Sequence, residues 1–200
     1  MSKRSAVIKR NTKETKIEVK LDLEGTGQYK INTGIPFLDH MLCLFASHGL
    51  FDLEIKAKGD LDVDIHHTNE DVGICLGQAF DRALGDKKGI KRFAGAGVPM
   101  DEALARITLD IGGRPSLYVT VDKKVELGGK HKKKYSFEDA KHFLRSFCQE
   151  AGINAHVDIL AGEDLHHILE AVFKSLARAM DTATKLDPRI KGVPSTKGQI

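Results

Sequence analysis

The chain has 200 residues, 41% hydrophobic and 30% charged, an ordinary globular mixture long enough to bury a core without staples. Lys and Arg total 31 against 28 for Asp and Glu, so the net charge of +3 argues for neither nucleic acid nor an anionic membrane as a partner. No apolar run approaches the ~20 residues of a membrane span, and the charged N-terminus lacks the apolar stretch of a secretory signal.

Strict alternation over Lys16 to Leu23 predicts a strand with one wet and one buried face. Gly25-Thr26-Gly27 turns the chain, and Gln28 to Thr33 reads as a weaker strand. Pro36 opens a helix over about Phe37 to His48, with Gly49 placed to end it as C′. A strand over Phe51 to Ala57 and a break at Gly59-Asp60 precede a long helix from Asp64, its N-cap, to Leu84. The segment Gly85 to Pro99, rich in Gly and Lys, reads as a joint. Beyond it, strands are predicted over Ala105 to Ile111 and Leu117 to Val121, and Lys130 to Lys134 reads as a solvated loop. Ser136-Phe137-Glu138-Asp139 forms a capping box opening a helix to about Glu150. Asn154 to Leu160 is a strand and Asp164 to Thr184 a helix. Each half therefore reads ββαβα. The long helices share an apolar stripe at matching offsets, Ile65, Val72, Leu76, Ala79 and Leu165, Val172, Leu176, Ala179. The expected fold is a duplicated α+β domain, with helices over one face of an antiparallel or mixed sheet. Residues 1–200 form one domain, with repeats 1–90 and 91–200.

The duplication extends to polar residues. Asp64-Ile65-His66-His67-Thr68-Asn69-Glu70 and Asp164-Leu165-His166-His167-Ile168-Leu169-Glu170 share D-x-H-H-x-x-E, 100 residues apart. On a helix, His66 and Glu70 stand at i, i+4 and form a chelating pair, as do His166 and Glu170. The adjacent His67 and His167 lie ~100° around the axis and serve a different ion. With His40 and His142 from the shorter helices, eight N and O ligands divide evenly into two sites of three His and one carboxylate. That donor set suits Mn, Fe, Co, Ni or Zn, and four ligands on a six-coordinate ion leave room for substrate. Cys43, Cys75 and Cys148, with no C-x-x-C spacing, read as core residues of a reduced, cytoplasmic chain.

Taken together, these motifs resemble imidazoleglycerol-phosphate dehydratase. The resemblance runs through Thr33-Gly34-Ile35-Pro36-Phe37-Leu38-Asp39-His40, both septets, Gly89-Ile90-Lys91-Arg92-Phe93, Pro99-Met100-Asp101-Glu102-Ala103, Gly113-Arg114-Pro115 and Pro194-Ser195-Thr196-Lys197-Gly198. It implies halves like domain 2 of ribosomal protein S5, each a four-stranded sheet backed by helices. It also implies two Mn²⁺ ions per subunit and a homo-24-mer built from trimers. One ion would take His66, Glu70, His142 and His167, the other His40, His67, His166 and Glu170. The reaction implied is dehydration of imidazole glycerol phosphate to imidazole acetol phosphate in histidine biosynthesis, through a metal-bound imidazolate and a diazafulvene-like intermediate. Glu14 matches the family's proton-moving glutamate, while Arg92, Arg114, Ser195, Thr196 and Lys197 match its phosphate grip and His48 lines the pocket. Two rival readings use the same residues. A dimetal hydrolase would bridge one oxygen between ions about 3.5–4 Å apart. A non-catalytic shell would use the histidines only as glue.

Overall fold

The computed structural model describes residues 4–127 and 135–200; the basic loop expected at Lys130 to Lys134 lies outside them. The first half runs β1 (Ser5–Asn11), β2 (Thr15–Asp22), β3 (Tyr29–Asn32), α1 (Pro36–Gly49), β4 (Asp52–Gly59) and α2 (His66–Leu84). The second runs β5 (Phe93–Met100), β6 (Ala103–Asp110), β7 (Ser116–Val121), α3 (Phe137–Ala151), β8 (Asn154–Ala161) and α4 (Leu165–Thr184). Each half is thus βββαβα, with one leading strand more than periodicity predicts. β1 escapes because only Ala6 and Ile8 of its seven residues are buried. β5 escapes because Phe-Ala-Gly-Ala-Gly-Val-Pro-Met is poor in β-formers, so pairing to β6 and packing under α4 make it a strand. The supposed joint therefore carries sheet structure.

The sheets order their strands alike, β1-β2-β4-β3 and β5-β6-β8-β7, and both are mixed, with only the last pair parallel. α2 lies on β1 and β2, and α4 on β5 and β6. The helices of the two halves then pack crosswise, α2 on α3 and α1 on α4, giving sheet, helices, helices, sheet. One apolar core runs through both halves. Phe80 and Phe147, one from each half, meet edge to face at 5.6 Å between centroids. The α2–α3 contact depends on small residues. A β-carbon at Gly73 would stand 2.8 Å from the Phe143 carbonyl oxygen, and one at Gly77 2.6 Å from that of Phe147.

The caps orient the site. Asp164 caps α4 by accepting from the His166 amide at 2.7 Å, and Ser136 with Asp139 completes the capping box of α3. Asp64 is not the N-cap expected for α2: the helix begins at His66 with Ile65 in the cap position, and Asp64, two residues before the helix, has its carboxylate 3.4 Å from the His66 amide nitrogen. At the end of α1 the left-handed residue is Leu50, with φ 58°, not Gly49. Gly49 is small for another reason: a β-carbon there would press the Phe51 ring at 2.5 Å. Cys75 and Cys148 are buried as expected, while Cys43 is half-buried.

Candidate metal centre

The first turns of α2 and α4 present the two septets. On α2, His66 Nε2 lies 3.5 Å from Glu70 Oε2, and α3 brings His142 Nδ1 to 3.2 Å from His66 Nδ1. On α4, His166 Nε2 lies 3.0 Å from Glu170 Oε1, and α1 brings His40 Nε2 to 2.9 Å from the same oxygen. Ligand atoms of His40, His166 and Glu170 all fall within 4.8 Å of one another. Among the described residues, only this second trio brings its three ligand atoms together; in the first, opposite nitrogens of the His66 ring face His142 and Glu70. Two imidazoles and a carboxylate are a donor set that fits a borderline divalent cation.

The fourth members stand apart. His67 turns to Asp60, with Nδ1 3.0 Å from Oδ2, and Glu14 Oε2 waits 4.0 Å from the same nitrogen. His167 turns to Glu102, with Nδ1 2.8 Å from Oε2. These carboxylates raise the pKa of both histidines. Glu102 is itself held down at about 2, first by the Asp164 backbone N–H and then by His167. Glu170 is buried, which alone would push it up. Lys174, whose Nζ donates to Oε2 at 2.6 Å, together with His40 and His166 outweighs burial and holds it at about 2. His48 is lowered by burial and then by Lys174 and Arg178.

The expected phosphate residues gather elsewhere. Arg92 donates through Nε and Nη2 to Asp110 at 2.6 and 3.0 Å, and through Nη1 to the Pro194 carbonyl at 2.7 Å. That last bond ties down the segment carrying Ser195, Thr196 and Lys197, where the Lys197 amide donates to Ser195 Oγ. The loop before Arg114 closes on the same segment, since a β-carbon at Gly113 would stand 3.1 Å from the Ile200 carbonyl carbon. This end of the molecule is remote from the histidines. The Arg92 amide donates to the carbonyl of Ala183, at the far end of α4 from His167. Sixteen residues at 1.5 Å each put them about 24 Å apart. Glu14 lies by His67, beside a depression of about 230 Å³ lined by Thr12, Lys16, Lys58 and Asp60.

Sequence reasoning assigned no role to Asp60, Glu102 or Lys174, each of which touches a septet residue. It also missed Asn69, inside the first septet. Asn69 accepts from Tyr135 Oη at 2.7 Å and donates to the Asp139 carbonyl at 2.8 Å, pinning the start of α3 to the start of α2. Asp60 and Glu102 carried a signal in Gly59-Asp60 and Asp101-Glu102, acidic turns at the ends of strands.

A family model described as imidazoleglycerol-phosphate dehydratase matches residues 33–180. A relative of that name from Thermoanaerobacter pseudethanolicus is 55% identical over 195 residues, covering 98% of each chain. Another from Geobacter metallireducens is 52% identical over 198 residues, covering 98% of this chain and 99% of its own. Among solved structures, the dehydratase from Pyrococcus furiosus superposes with a TM-score of 0.81 at 36% identity, over 96% of this chain and 100% of that one. The Staphylococcus aureus enzyme gives 0.79 at 33% identity, over 92% and 99%. The chain belongs to the imidazoleglycerol-phosphate dehydratase family.

Proposed function

We propose that this chain is a manganese-dependent hydro-lyase that removes water from imidazole glycerol phosphate to give imidazole acetol phosphate in histidine biosynthesis. The observation that carries the reading is the gathered trio His40, His166 and Glu170, one histidine short of its expected set, with His66, Glu70 and His142 as neighbours at the matching place in the other half. His66, Glu70 and His142 would hold one Mn²⁺ and His40, His166 and Glu170 the other, with His167 and His67 supplied from neighbouring copies. When bound, the ions supply Lewis acidity and a template for the substrate. Glu14, exposed beside His67, is the carboxylate that moves a substrate proton. Lys197, Arg114, Ser195 and Thr196 bind the phosphate, and His48 lines the pocket. Arg92 spends three of the five N–H donors of a guanidinium on Asp110 and Pro194, which leaves two for phosphate.

The same geometry supports assembly. A small substrate cannot touch a histidine end and a phosphate end about 24 Å apart in one chain. The 1–200 domain, with repeats 1–90 and 91–200, therefore works between copies, and a homo-24-mer of trimers satisfies that need. Among the described residues no helix is long and apolar enough to cross a membrane; the proposal places the enzyme in the cytoplasm, with the small-molecule substrate and further copies of the chain as its partners. The test is turnover by metal-stripped protein given imidazole glycerol phosphate with Mn²⁺, Zn²⁺ or Mg²⁺, with particle size followed by light scattering. Ketone product and large particles with Mn²⁺ are expected. Large particles without product under any ion would overturn the lyase reading.

A further inference from the structure

We propose that Asp60 and Glu102 are positioning residues that set which ring nitrogen of His67 and His167 is free to bind metal, and that Glu102 is the second-half counterpart of Glu14. This rests on the proposed ligand roles of the two histidines. An ionised carboxylate can only accept a hydrogen bond. At 3.0 Å from Asp60 and 2.8 Å from Glu102, each Nδ1 carries the proton; in the neutral ring that a metal binds, Nε2 then keeps its lone pair, and among the described residues Nε2 of His167 faces only Asp101, at 3.8 Å. That lone pair is what a metal requires, and an outer carboxylate on the opposite nitrogen is the usual device for presenting it.

The two carboxylates are not copies of each other. Glu102 sits in the β5–β6 turn, one residue before β6, whereas Asp60 follows β4. The residue one before β2, in the equivalent β1–β2 turn, is Glu14. Glu14 also faces the second histidine of its septet, but from 4.0 Å, because Asp60 occupies the nearer place. The duplicated halves have therefore diverged. In one, the turn glutamate still holds its histidine. In the other, Asp60 has taken over that task, and Glu14 is released with a side chain 55% exposed. This accounts for why Glu14, and not Glu102, is available to move a proton.

Glu102→Gln separates positioning from folding. Glu102 Oε1 accepts the amides of Glu163 and Asp164 at 3.2 and 3.0 Å, and a glutamine oxygen keeps both bonds. Its NH₂ then faces His167 Nδ1, which must accept, so the proton moves to Nε2 and the metal-binding lone pair is lost. Mn²⁺ binding to the full chain is measured by electron paramagnetic resonance titration, alongside thermal melting of the metal-free protein. Expected is a roughly 10–100-fold weaker Mn²⁺ affinity with unchanged metal-free melting. Glu102→Gln in a His167→Ala background should weaken binding no further than His167→Ala alone. Parent-like affinity in Glu102→Gln, with loss in His167→Ala, would overturn the positioning role. Fully additive losses would do the same. If His167→Ala itself binds like the parent, the ligand assignment falls first, a distinct outcome. Should Glu102→Gln fail to fold, Asp60→Asn against His67→Ala supplies the same comparison.

Discussion

Replacing Gly73 by Ala tests whether the approach of α2 to α3 builds the first ligand group. The new β-carbon would stand 2.8 Å from the Phe143 carbonyl oxygen and 3.2 Å from Ser146 Cβ, where ordinary contact begins at 3.4 Å. Backbone must therefore yield by about 0.6 Å, the difference between 3.4 and 2.8 Å. Overpacking of this kind costs about 1–3 kcal/mol. The gain in helix propensity from Gly to Ala returns about 1 kcal/mol. The net loss of about 0–2 kcal/mol corresponds to a fall in Tm of up to about 8 °C for a chain of this size. Because His142 adjoins Phe143, the same shift carries it away from His66 and weakens Mn²⁺ binding. Denaturation of the metal-free protein and Mn²⁺ titration read the two effects. Gly192→Ala, with nothing within 4 Å of its new β-carbon, is the control, and its stability should change by no more than about 0.5 kcal/mol. A Gly73→Ala protein more stable than its parent, with unchanged Mn²⁺ affinity, would refute the reasoning, since propensity alone predicts that result.

Glu14→Gln should keep Mn²⁺ affinity and particle size but lose about 100-fold or more in kcat, read by steady-state assay with light scattering. Arg92→Ala removes the Asp110 pair and the Pro194 anchor. It should cost about 2–3 kcal/mol in chemical denaturation, raise KM, and expose residues 194–200 to limited proteolysis. Burial pushes the Cys75 and Cys148 thiols up to about 12. The unfolded chain releases these protons from about pH 8.5, whereas the folded chain keeps them. Stability should therefore fall as pH rises from there towards 12, and Cys148→Ala should flatten that slope in alkaline denaturation. A thiol reagent at pH 8 should find both buried cysteines inert until the protein unfolds.

Much of the site was legible because helix geometry converts spacing into direction. His66 with Glu70 and His166 with Glu170 could be paired from i, i+4 alone, and the capping box at Ser136 fixed the start of α3. The crosswise packing that carries His142 to His66 and His40 to Glu170 was not readable from pattern, because it depends on contacts between the halves. β1 and β5 were lost to weak alternation and to glycine. Without them the turns holding Glu14 and Glu102 could not be recognised as equivalent. Asp60 and Lys174 were missed because a lone acid or base at an element's edge looks like a solvated residue until its partner is in place.

The central claim is that each active site is assembled between copies of the chain, and mixing two disabled variants tests it most directly. Glu14→Gln impairs the histidine end and Lys197→Ala the phosphate end. Both are stripped of metal, combined in equal amounts and reassembled with Mn²⁺. The account predicts recovery towards about a quarter of parental activity, the statistical share of sites that draw both residues from intact copies. A mixture no more active than its two components measured apart would contradict it.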